Sequence, residues 1–105
     1  MPYIEPGARV LYDSYIDSLV AILSVQDKQA VKGHHNYIMF TLAAKLAEEL
    51  GIRYATLQDI VGTFECCKEE FYRRIVGPHE DKAIEKNGDV LCQVTGSNPV
   101  GGLGR

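Results

Sequence analysis

The chain has 105 residues, 46% of them apolar and 24% charged, with a formal net charge of −3 at neutral pH. Length and composition fit one globular domain, and the acidic balance argues against the basic footprint that a nucleic-acid backbone requires. With no signal peptide and no apolar run near the ~18 residues of a membrane span, a cytoplasmic protein is expected.

Residues 1–11 carry Pro2, Pro6 and Gly7 and read as an extended arm. A first helix follows from Tyr12 to Ser24. Tyr12, Tyr15, Ile16, Leu19, Ile22 and Leu23 share its apolar face, and Asp13 and Asp17 read as a solvated acidic side. Residues 25–35 form a connection with room for a helical turn starting at Asp27. A second helix runs from Asn36 to Leu50 and ends at Gly51, with Ile52 placed for a Schellman-type contact. Its apolar residues, from Ile38 and Phe40 to Leu46 and Leu50, nearly encircle it. Such a helix must be covered on more than one side.

The third helix, Thr56 to Val76, has the clearest pattern. Leu57, Ile60, Val61, Phe64, Cys67, Phe71 and Ile75 recur at helical spacing. Thr56 with Asp59 three residues on resembles a capping box, and Gly77-Pro78 reads as the stop. The short link before this helix predicts an antiparallel hairpin with the second. A short fourth helix over 79–87 closes at Asn87-Gly88, and the alternation of Val90, Cys92 and Val94 admits a brief strand. From Thr95 the chain is Gly-rich and linker-like. The expected fold is all-α: a small bundle of three main helices plus a short fourth. Residues 1–91 form the helical domain and 92–105 the tail.

Three pieces of this sequence carry a resemblance: Asn36-Tyr37 with Thr41; Glu65, Lys68 and Glu70 with Phe71-Tyr72-Arg73-Arg74; and Pro78, Glu80, Asp81 and Lys82 with Asn87-Gly88-Asp89-Val90. Together they resemble a family of small, uncharacterised helical proteins of prokaryotes and their viruses, over roughly residues 34–91. The resemblance implies a helical fold and no activity.

Polar groups of the third helix, with Asn36 at the start of the second, compose the candidate polar cluster: Asn36, Glu65, Lys68, Glu69, Tyr72 and Arg73. Lys68 projects into the apolar stripe between Phe64 and Phe71, so its ammonium must reach water or a partner. A carboxylate or carbonyl at hydrogen-bonding distance is predicted, either Glu65 or a residue of a second subunit. Glu69–Arg73 and Glu70–Arg74 are favourable pairs at i,i+4. Arg73 or Arg74 is also predicted to reach Glu80 or Asp81 across a turn at Gly77-Pro78.

No metal site is expected. Adjacent cysteines on a helix point about 100° apart, so Cys66-Cys67 with the loop residues His34-His35 would chelate zinc poorly. Three cysteines make no disulfide framework and read as reduced thiols. The architecture resembles the MazG-like nucleotide pyrophosphohydrolases, which hold Mg²⁺ between carboxylates of two helices. Their E-E-x-x-E and E-x-x-D pattern is not met: Glu48-Glu49 lacks a third glutamate and the third helix offers Glu65, Glu69 and Glu70. The leading reading is a non-enzymatic homo-oligomeric structural or interaction protein without a cofactor. The alternative is a Mg²⁺-dependent phosphoanhydride hydrolase using Glu65 and Glu69 with Glu48 or Glu49.

Overall fold

The computed structural model describes residues 2–91, and every regular element among them is helical. The chain divides into two units, Met1–Thr63 and Phe64–Arg105.

The first unit opens with a single turn, α1 (Pro6–Arg9), where an extended arm is expected. Proline at the first helical position loses nothing, because that N–H has no intrahelical acceptor. The turn carries on through Leu11 N–H to Ala8 O at 3.2 Å and Tyr12 N–H to Arg9 O at 3.0 Å. Helix α2 (Asp13–Ser24) then starts where its periodicity predicts, with Asp13 in the electropositive first turn.

Helix α3 spans Lys28–Leu50, eight residues longer at its start than the apolar pattern indicates. The expected connection shrinks to Val25–Asp27. Asp27 supplies the reason, since its carboxylate accepts from the Gln29 N–H at 3.2 Å and caps the helix there. His34 and His35 therefore stand on a helix and not in a loop. Helices α2 and α3 meet. At the far end Gly51, at φ +102°, donates to Ala47 O at 2.9 Å, and Arg53 Nη2 donates to Leu50 O at 3.3 Å. Both bonds satisfy carbonyls that a helix end leaves open.

Helix α4 (Tyr54–Phe71) begins two residues before Thr56. The Leu57 N–H already donates to Arg53 O at 3.0 Å, so Thr56 is no cap; it lies inside the helix and is buried.

Within the second unit, Gly77-Pro78 does not stop the chain. A π-helical turn, Tyr72–Val76, leads directly into α5 (Gly77–Asn87). Proline in a helix lacks an N–H and crowds the carbonyl four residues back, here Arg74. Widening the preceding turn relieves that conflict, and the Gly77 N–H bonds Tyr72 O, five residues back. Gly77 holds a right-handed φ of −55° before proline, which a residue without Cβ tolerates best. The end at Asn87 with Gly88 at φ +87° agrees with expectation. The brief strand does not form at its start. Val90 and Leu91 are helical, because Asp89 Oδ1 accepts from the Leu91 N–H at 2.8 Å and turns the backbone. Cys92, Val94 and the Gly-rich tail lie outside the described residues.

Among the described residues only Ala47 and Thr56 are buried, on either side of Gly51. Tyr37 and Phe40 are exposed on one side of α3, and Leu42, Leu46 and Leu50 on the opposite side at 100° per residue. No described helix is long and apolar enough to cross a membrane.

Candidate functional site

Five of the six sequence-selected residues stand on consecutive turns of the second unit. Asn36 belongs to α3 of the first. Lys68 Nζ lies 3.2 Å from Glu65 Oε1, the carboxylate predicted for it, and both side chains are 60% exposed. The lysine therefore keeps both water and a counter-charge while its stem crosses the stripe between Phe64 and Phe71. At that exposure the pair contributes at most ~1 kcal/mol.

Arg73 makes a different bond from either one expected. It reaches back to Glu70, with Nε at 2.7 Å and Nη2 at 2.6 Å from the same Oε1. Residues three apart on a helix are neighbours as much as those four apart, so Glu70 competes with Glu69 for this arginine. Among the described residues no bond joins Arg73 to Glu80. The helix continues through Gly77-Pro78, and seven residues of helix separate two groups by ~10 Å. Glu70, which the sequence pairs with Arg74, was left out of the candidate site. Its side chain is 11% exposed against 67% for Arg73. The signal was present in the Glu-x-x-Arg spacing.

Asn36, Glu69 and Tyr72 are exposed, and none forms an ion pair or side-chain hydrogen bond among the described residues. Cys66 and Cys67 are free and exposed. Among the described residues no three His, Cys, Asp or Glu side chains form a group that could hold a metal ion. Chemically, the described part of the second unit offers the Lys68–Glu65 and Arg73–Glu70 pairs beside an open apolar stripe.

A family model described as a domain of unknown function (DUF6899) matches residues 1–90, and the chain belongs to that family. No curated protein and no solved structure matches it.

Proposed function

We propose that this family member is a non-enzymatic structural or interaction protein that folds as a homo-oligomer, its helical bundle closed between copies. The observation that carries this reading is burial. With Ala47 and Thr56 alone buried among the described residues, α2, α3 and α4 leave large apolar side chains facing water. Tyr37, Phe40, Leu42, Leu46 and Leu50 of α3, with Leu57, Phe64 and Phe71 of α4, are all exposed. At on the order of 100 Å² each they offer ~800 Å², the area each partner brings to a standard interface.

So much exposed apolar area must be covered for the chain to be stable, since burial of apolar area is the main term opposing chain entropy. A second copy is the partner present whenever the chain is made, and closed symmetric association is the common solution. Exposed free thiols at Cys66 and Cys67 fit a reducing, cytoplasmic setting. The hydrolase alternative draws no support from the grouping of acidic side chains among the described residues.

Folding coupled to assembly makes thermal stability depend on protein concentration. The midpoint of unfolding should rise as concentration is increased roughly a hundredfold. A midpoint independent of concentration would overturn the reading.

A further inference from the structure

Resting on that homo-oligomer reading, we propose that α4 is the self-pairing element: a two-fold, antiparallel helix seam in which Lys68 of each copy pairs with the partner's Glu65. Leu57, Val61, Phe64, Lys68 and Phe71 follow one another at intervals of four, three, four and three. That is the spacing of a coiled-coil seam, and all five are exposed along one helix. Phe64 and Phe71 take one set of seam positions, Val61 and Lys68 the other. A lone lysine at such a position specifies register and partner number at a cost in stability.

Orientation follows from charge. In a parallel pair Lys68 would face the partner's Lys68, and two ammonium groups would be brought together out of water. In the antiparallel pair Lys68 lies level with the partner's Phe64, and Val61 with the partner's Phe71. Four layers then close about a two-fold axis. Glu65 stands beside Phe64, at the flank of the seam, so each Lys68 meets the partner's Glu65. The pair at 3.2 Å within one chain becomes a crossed arrangement of two lysines and two glutamates. An isologous interface demands this self-complementarity. The seam ends at Phe71, where the wider turn of Tyr72–Val76 takes later residues out of phase.

Charge reversal with subunit mixing tests it. Lys68→Glu sets four carboxylates together across the seam and Glu65→Lys sets four ammonium groups together. Each should loosen self-association by about tenfold or more, and the double exchange should restore it. Equimolar Lys68→Glu and Glu65→Lys chains, one carrying a mass tag, should pair with each other almost exclusively in native mass spectrometry. Circular dichroism of each variant checks that its helices persist.

A statistical mixture of pairs, with single variants as tight as the parent, would overturn the seam while leaving the oligomer standing. Equal affinity for Lys68→Glu and the parent, with selective mixing retained, would overturn the antiparallel orientation. A parent chain that is monomeric throughout would overturn the homo-oligomer reading itself.

Discussion

Two nitrogens of the Arg73 guanidinium, Nε at 2.7 Å and Nη2 at 2.6 Å, converge on a single carboxylate oxygen of Glu70. The glutamate side chain is 11% exposed and the arginine 67% exposed, so the bond has one sheltered end and one wet end. This places it above the exposed Lys68–Glu65 pair in energy, because a sheltered carboxylate regains less from water when one of its partners is removed. Arg73→Met should lower stability by about 1 kcal/mol in urea unfolding, and Arg73→Lys by less, since a lysine keeps the charge but cannot fork onto one oxygen in the same way. Arg73→Met unfolding at the parent midpoint would show the pair to be without weight.

Two glycines, one inside α3 and one at its end, make opposite predictions. Gly51 holds φ +102°, where a side chain is strained, whereas Gly33 is inside the helix and a Cβ added there would meet nothing within 4 Å. Gly51→Ala should destabilise by about 1 kcal/mol, and Gly33→Ala should stabilise by up to ~1 kcal/mol. Thermal or urea unfolding of both variants reads the sign directly, and a like sign for the two would contradict this account of where α3 ends.

The start of α3 rests on Asp27, which accepts from the Gln29 N–H at 3.2 Å. Asp27→Ala should cost about 1 kcal/mol and fray the turn containing Gln29 and Ala30. Faster amide exchange confined to that turn is the expected signature. Unchanged protection there would mean that the cap carries no weight.

The π turn at Tyr72–Val76 is attributed to Pro78. With Pro78→Ala the N–H is regained and the ring removed, so the helix should return to regular bonding, with added helical signal in circular dichroism and a gain of about 1 kcal/mol. A loss of helical signal would show that the widened turn has another cause.

Much of the helical content was legible in the sequence, and the reasons for the exceptions are local. Periodicity located α2, the body of α3 and α4, because apolar residues at helical spacing are what those helices present. It mislaid the beginning of α3, since Lys28 to His35 carries no apolar stripe and a helix there depends on one aspartate cap. It mistook Gly77-Pro78 for a stop because a proline ends most helices, and only a widened turn with a glycine ahead of it lets one pass. At the candidate site the Lys68–Glu65 pairing was legible from projection alone. Glu70 was not, because three-residue and four-residue neighbours are equivalent on a helix and burial decides between them.

The central claim is that the apolar faces of α3 and α4 are covered by further copies of the chain. Light scattering coupled to size separation at micromolar concentration tests it most directly. The account predicts a single species whose mass is a whole multiple, two or more, of 11.6 kDa. A folded, helical species that elutes at 11.6 kDa across that range would contradict it.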